Sequence, residues 1–409
     1  MLDEMRPKLR RINISRSQQH GQPVLVLQDP CGISDFMVVL PANILPVLEL
    51  CDGTRDVAAI RSALELRSGL RVGPGYLEKL FAALDDALLM DSERFTAAYE
   101  QALGLFRTSP ARSPILADKV YPADPELLEQ TMKQYFDGLS ADVDRTGGID
   151  SVRGLVSPHI DYQRGSSVYA GVWHRAAAAA REAEVAIILG TNHQAGHKLF
   201  TLTKKSYATP WGELPVACDV VDAVANALGE KEAFEEEFSH RNEHSVESAA
   251  VWLHYFTRDG RCEIVPVLCG SFQRFIDEDR QPGGDDEINC FIDSLKKATS
   301  GRRTLIVAAG DLAHVGPAFG DIYPIGALER AKLSAADNEL VTAIIKGDAE
   351  GVYQLVRQEG DRRRICGLST IYLAMRLLGE TKGDLTGYAQ CPADQQGASF
   401  VSVCGIVFD

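Results

Sequence analysis

The chain has 409 residues, 45% of them hydrophobic and 24% charged, with a formal net charge of -15 at neutral pH. That length allows two or three domains with a large core, and the balance is that of an ordinary soluble globular protein. The acidic surplus argues against a nucleic-acid partner, which needs a basic face. No apolar run reaches the length of a membrane span, and the start MLDEMRP lacks the apolar stretch of a secretory signal. The nine cysteines show no CxxC pair and no disulfide-like spacing, as fits a reducing cytoplasm.

A basic patch at residues 6–16 reads as a solvated strand or tail. Residues 23–28 (PVLVLQ) and 36–40 (FMVVL) are short apolar runs separated by Asp29-Pro30-Cys31-Gly32, a hairpin signal. Helical patterns follow at 42–50, from about 56, and at 76–90, where Leu77, Leu80, Leu84 and Leu88 recur at helical spacing. Gly73-Pro74-Gly75 breaks the last two apart. Residues 1–95 therefore read as a small α+β unit of two strands and three helices, winged-helix-like in layout. Residues 96–112, a helix running into Thr108-Ser109-Pro110-Ala111-Arg112, read as a linker.

Residues 113–409 read as one α/β domain. A helix opens at Asp124-Pro125-Glu126, with aspartate at the cap and proline in the first turn. Strands are predicted at 154–157, 183–189, 199–203, 263–268, 304–309 and 400–407. Helices are predicted at 166–182, 219–228, 245–255, 287–299, 328–346, 349–357 and 368–378. The unbroken apolar runs at 185–189 and 305–309 suit strands buried on both faces of a three-layer sandwich.

Polar clusters stand at the carboxyl ends of the strands, where open α/β sheets place their sites. They are Ser157-Pro158-His159-Ile160-Asp161-Tyr162, Gly190-Thr191-Asn192-His193 and Gly310-Asp311-Leu312-Ala313-His314. A fourth, Asn242-Glu243-His244-Ser245-Val246-Glu247, enters a helix. Taken singly, such a histidine is most simply a loop residue bonded to backbone. His244 would be a polar helix start with Ser245 as cap, Asp311 a helix cap, and Cys366 a buried thiol. Core packing does not explain four of only nine histidines falling at such junctions. His20, His174, His197, His240 and His254 lack comparable settings.

The motifs SPHIDY, GTNH, EHSVE, GDLAH and Cys366-Gly367, in this order, resemble the MEMO family. Within it they are closest to the proteins called AmmeMemoRadiSam system protein B. The flanking phrases YPADP (121–125) and YATPWGE (207–213) fit the same pattern. The resemblance covers about residues 113–409 and implies a class III extradiol dioxygenase-like fold. It further implies a metal site with His159 and His193 as imidazole ligands and Cys366 in place of a carboxylate. Asp311, His314 and His244 would line the same pocket as catalytic residues. Asp161 stands where the family usually has glycine, as an outer acceptor or a solvent-facing carboxylate. The resemblance also implies partners, a radical-SAM protein and an AMMECR1-like protein of the same system. It leaves two functions open: a metal-dependent oxidoreductase, or a non-catalytic peptide- or ligand-binding protein using the same pocket. Residues 1–95 resemble a PqqD-like winged helix, a module that takes a peptide as an added strand.

Two neutral imidazoles and a thiolate suit Fe(II), copper and zinc alike and disfavour magnesium and calcium; the resemblance implies ferrous iron first, with copper or zinc as alternatives. Three protein ligands leave positions open, as a catalytic ion requires. His314 and His244 are placed to exchange protons beside a bound ligand, and Asp311 to orient an imidazole. Glu247 reads as a surface or capping carboxylate.

Overall fold

The computed structural model describes residues 6–34, 36–69, 71–73, 75–139, 151–194, 196–258 and 260–409. Residues 1–5, read above for a secretory signal, and Pro74 of the predicted helix break lie outside that set. The chain divides into two units, Met1–Ser109 and Pro110–Asp409. No helix among the described residues is long and apolar enough to cross a membrane.

The first unit holds an antiparallel sheet of β1 (Asn13–Gln19), β2 (Gln22–Gln28) and β3 (Val38–Pro41), in that order. Only β2 and β3 are expected from the sequence. β1 reads NISRSQQ and is exposed along its whole length, so no apolar alternation marks it. Backbone pairing with all of β2 makes it a strand. The tight turn between them is His20-Gly21, both at positive φ, the conformation a two-residue hairpin requires. Helices Val57–Ser68 and Tyr76–Asp86 contribute Ile60, Leu64, Leu77, Phe81 and Leu84 to a core with Leu25 and Leu27. Asp56 starts the first of these helices by accepting the Ala59 N–H. Helix Glu93–Thr108, expected as a linker, groups with this unit. Its Phe95 lies 4.3 Å under the Arg10 guanidinium.

The second unit opens with β4 (Ala111–Arg112), followed by β5 (Gly154–Ser157), β6 (Val185–Thr191) and β7 (Phe200–Leu202). Next come β8 (Ser206–Thr209), β9 (Gly212–Leu214), β10 (Glu263–Cys269) and β11 (Thr304–Ala309). β12 (His314–Val315), β13 (Gly383–Pro392) and β14 (Phe400–Phe408) complete the strands. β4, β8 and β9 form a small sheet of their own. The main sheet runs β12-β14-β5-β11-β6-β10-β7, with β13 also paired to β14. Its centre, β5-β11-β6-β10, is parallel, and the flanking strands are antiparallel. All seven residues of β6 are buried, so the sheet is covered on both faces. This is a mixed α/β fold.

The order of these strands builds the site. β5 and β6 are joined by helix Tyr162–Glu182, yet they lie on either side of β11. Because the three are parallel, the loops after Ser157, Thr191 and Ala309 leave the sheet at one edge. A crossover of this kind opens a crevice beyond the carboxyl ends. Helix Tyr162–Glu182 starts four residues before the predicted 166, because Asp161 caps it by accepting the Arg164 N–H at 3.0 Å. That carboxylate also pairs with the Arg164 side chain. Asp161 thus holds the helix start and is neither an acceptor for an imidazole nor idle in solvent.

Candidate metal centre

His159, His193 and His244 come together at the crevice. Their ring centroids are 4.9 Å (159–193), 5.1 Å (159–244) and 4.8 Å (193–244) apart. Each ring is fixed from behind through Nδ1. His159 Nδ1 meets the Ala309 carbonyl at 3.1 Å. His193 Nδ1 and His244 Nδ1 both meet Glu243 Oε1, at 3.0 and 3.1 Å. His314, lining the same cavity, has Nδ1 at 3.2 Å from the Leu312 carbonyl and 3.1 Å from that of Arg364. Carbonyls and carboxylates only accept, so this network assigns Nδ1 as the protonated nitrogen in all four rings. Nε2 then carries the free lone pair. Histidines that bind metal are commonly oriented by such outer acceptors.

Cys366 and Asp311 close the other side. Cys366 Sγ lies 3.2 Å from His159 Nε2, and Asp311 Oδ2 lies 3.6 Å from the same nitrogen. Asp311 Oδ1 accepts the His159 backbone N–H at 2.8 Å, so the carboxylate grips the histidine's main chain and faces its lone pair. It sits among the donors rather than behind an imidazole as expected. Two glycines permit this approach. A Cβ on Gly310 would fall 2.5 Å from Gly367 Cα, and one on Gly367 would fall 2.6 Å from the Asp311 carbonyl oxygen. The Cys366-Gly367 motif is thereby explained. Arg364, two residues before the cysteine, holds a left-handed φ of 54° while its carbonyl accepts from His314.

Among the described residues, two sets of donor atoms lie mutually within 4.8 Å: His159, His193 and His244, and His159, Asp311 and Cys366. His193 and Cys366, paired by the resemblance as ligands of one ion, fall in different sets that share His159. Donor atoms this close could hold an ion with bonds of about 2.0–2.3 Å in either set. Nitrogen, sulfur and carboxylate donors suit iron, copper or zinc.

The electrostatics are set by burial and by the carboxylates Glu243 and Asp311. Burial drives the His159 imidazole down to about 3, with Asp311 opposing, so the ring is neutral at physiological pH. Burial likewise lowers His314. Burial also works against the charged form of His244, but the hydrogen bond and charge of Glu243 outweigh it and raise that ring. Glu243 is itself opposed by burial, yet His193 and His244 hold it well below the usual carboxylate range. Burial, then Asp311, push the Cys366 thiol well above its ordinary value. A bound cation would reverse that and release the thiol proton.

The most informative residue, Glu243, was passed over in the sequence. It is buried, and Oε1 also accepts the backbone N–H of His244 at 2.8 Å and of Ser245 at 3.0 Å. Glu243, one residue before the N-cap His244, thus ties down the start of helix Ser245–Phe256, a role expected of Ser245, whose hydroxyl instead donates to the Thr191 carbonyl. The signal was an acidic residue directly before a candidate site histidine at a helix start. Glu247, expected as a surface or capping carboxylate, is 1% exposed. Of the other histidines, His240 bridges the Tyr207 hydroxyl and the Thr201 carbonyl, and His254 bonds the Thr209 hydroxyl. The open cavity in front of the rings measures about 400 Å³ and has an apolar wall of Leu116, Val120, Phe319 and Val401.

Fold and site together define an α/β protein with a histidine-rich centre at the carboxyl edge of a parallel sheet. Residues 112–407 match the family model described as Memo-like protein, well over half of the chain, and the protein belongs to that family. It is similar to the MEMO1 family protein of Aquifex aeolicus, 24% identical over 416 residues that span 99% of this chain and 100% of that protein. It is also similar to the MEMO1 family proteins of Methanosarcina barkeri and Methanosarcina mazei. Each is 28% identical over 283 residues, 68% of this chain and 92% or 91% of those proteins. The Aquifex match runs through both units.

Proposed function

We propose that the second unit is an extradiol dioxygenase-like domain whose centre holds one transition-metal ion, ferrous iron before copper or zinc, and acts as an oxidoreductase. The observation that carries this reading is the set of four imidazoles with Nδ1 engaged behind them, beside Cys366 and Asp311 at an open cavity. The ion, when bound, would supply redox and Lewis-acid chemistry to a ligand in that cavity. His159, the ring shared by both donor sets, would anchor the ion. Glu243 keeps His193 and His244 in one tautomer. His314, neutral and with Nε2 free, takes a proton from a ligand group in the cavity. Leu116, Val120 and Phe319 receive the ligand's apolar part and exclude water.

The test is metal content after anaerobic purification of the native chain and of His159→Ala. About one equivalent of iron or copper, lost in the variant, is expected. No metal in either, even after reconstitution with Fe(II), Cu(I) and Zn(II), would favour a second reading, a pocket that binds a ligand without turnover. The apolar wall is what favours that alternative.

The cytoplasmic partners belong to the same proposal. A radical-SAM protein and an AMMECR1-like protein of one system would supply or consume its ligand, and co-purification would test them. For the first unit we propose a PqqD-like winged helix that adds a peptide strand at β3. It is supported by the exposed apolar side chains Phe36, Met37 and Val39 at that edge.

A further inference from the structure

Arg112 and Glu247 form an ion pair with side chains 0% and 1% exposed. Taking two charges out of water is costly, and a buried pair of this kind is weak evidence for stability by itself. What it holds is therefore the question. The Arg112 fork has three acceptors besides the face of Tyr207, which lies 5.1 Å from its guanidinium carbon. Nε donates to the His240 carbonyl at 2.9 Å, Nη1 to Glu247, and Nη2 to the Glu243 carbonyl at 2.7 Å. The last contact fixes the main chain of the residue whose carboxylate orients both His193 and His244. Glu247, four residues further on, has a second set of donors. It accepts the backbone N–H groups of Ile115 and Leu116 at 3.0 and 2.9 Å and the Tyr121 hydroxyl at 2.6 Å. Leu116 is part of the apolar wall of the cavity. One buried pair thus connects to the histidine side of the crevice through Glu243 and to the apolar side through Leu116.

We propose that Arg112 and Glu247 are positioning residues of the histidine centre, Arg112 acting through Glu243 on His193 and His244, and Glu247 acting on the cavity wall at Leu116. Neither touches the ion or its ligand. Arginine is required at 112 because only a planar fork reaches all three acceptors, whereas a lysine ammonium is a point donor on a flexible stem. The inference rests on the metal-centre reading for its consequence, though not for its geometry.

The experiment uses the full chain in four forms: native, Arg112→Lys, Glu247→Gln and the apolar pair Arg112→Met/Glu247→Leu. The apolar pair removes both charges together, so no uncompensated charge is left to unfold the domain. Val224→Ala, in the core of helix Cys218–Leu228, serves as a destabilised control remote from the pair in sequence. Two quantities are read. One is affinity for cobalt(II), added alone and followed by its ligand-field absorption. The other is the tautomer of His193 and His244, from ¹⁵N shifts of histidine-labelled, metal-free protein.

Arg112→Lys and the apolar pair should weaken cobalt binding about 10- to 100-fold, the usual cost of losing an outer partner of a ligand. Both should also shift His193 and His244 from a single Nδ1–H tautomer to a mixture. Glu247→Gln, which keeps its shape and one acceptor, should have a smaller effect, and Val224→Ala none on either quantity. Folded Arg112 variants with native cobalt affinity and native tautomers would overturn the proposal, as would an equal loss in the control. If the native protein binds no cobalt, the metal reading fails, while the tautomer comparison still decides the proposal.

Discussion

Each unit buries an arginine from near its start against a carboxylate, Arg10 with Asp29 and Arg112 with Glu247, and the two pairs are put to different ends. In the first unit Arg10 and Asp29 meet at 2.7 Å with side chains 7% and 0% exposed. In the second, Arg112 and Glu247 are as deeply placed. The remaining acceptor capacity of Asp29 goes to the backbone N–H groups of Cys31, Ile33 and Ser34, so that pair organises the turn leading towards β3. The remaining capacity of Arg112 and Glu247 goes to Glu243 and Leu116, and from there to histidines and a cavity. Desolvating an ion pair costs a similar amount in both places. A buried charge pair therefore does not mark a functional site. The chemistry of the groups it holds does, and only the second pair ends on titratable rings.

The largest expected difference between the units is in acid. His159 is held down to about 3 by burial, against 6.5 unfolded, and His240 and His254 are held to about 4 for the same reason. Unfolding lets these rings take up protons. Their contribution is therefore complete above pH 6.5 and is lost as pH falls through the folded values. Glu243, held low, loses its contribution in the same direction at lower pH. His244, raised, works the opposite way, contributing below 6.5 and fading as pH rises. For His159 alone the loss is on the order of 4 kcal/mol between pH 6.5 and 3. The first unit's single histidine, His20, is exposed. Urea unfolding of chelator-stripped protein from pH 8 to 4 should show the second unit's midpoint falling ahead of the first's; parallel midpoints would contradict this account.

Next in size is the first unit's own pair. Arg10→Met strands Asp29 without its cation and should cost about 3 kcal/mol. Metal content of the full chain should not change. Loss of metal in that variant would mean the two pairs are not separate devices.

Within the second unit the donor sets can be ranked. His159 belongs to both, so His159→Ala should weaken metal binding by about 100-fold or more. Cys366→Ser and His193→Ala each leave one set intact and should cost about tenfold. Competition against a metal indicator would measure all three. Equal losses would show instead that one ion uses His193 and Cys366 together.

What the sequence discloses follows the same division. The runs 185–189 and 305–309 were legible because strands buried on both faces must be continuously apolar. The site's location was legible because parallel strands send their following loops to one edge. β1 was hidden, since an exposed edge strand carries no period. β13, GDLTGYAQCP, was hidden too, half-buried along most of its length with glycine at two positions. Glu243 was not legible, because it acts from just before the helix, where helical spacing has no meaning. Asp311 was legible as a site residue but not its placement, which depends on two backbones meeting at Gly310 and Gly367.

The smallest expected effect is the most sensitive to where the units divide. Deleting residues 1–109 should leave the second unit's cooperative unfolding and metal affinity unchanged, because the residues described in its hydrophobic core all follow that point. Deleting three residues more, to begin at Ser113 as the sequence boundary suggests, removes Arg112. Glu247 is then left buried without its cation, and the Glu243 carbonyl loses its donor. The family match itself begins at residue 112. Metal titration of the two truncations should therefore give native affinity for the first and a loss comparable to the Arg112 variants for the second. If both bind alike, the site is positioned from within helix Ser245–Phe256 alone. If both fail, the first unit is needed to hold the centre together.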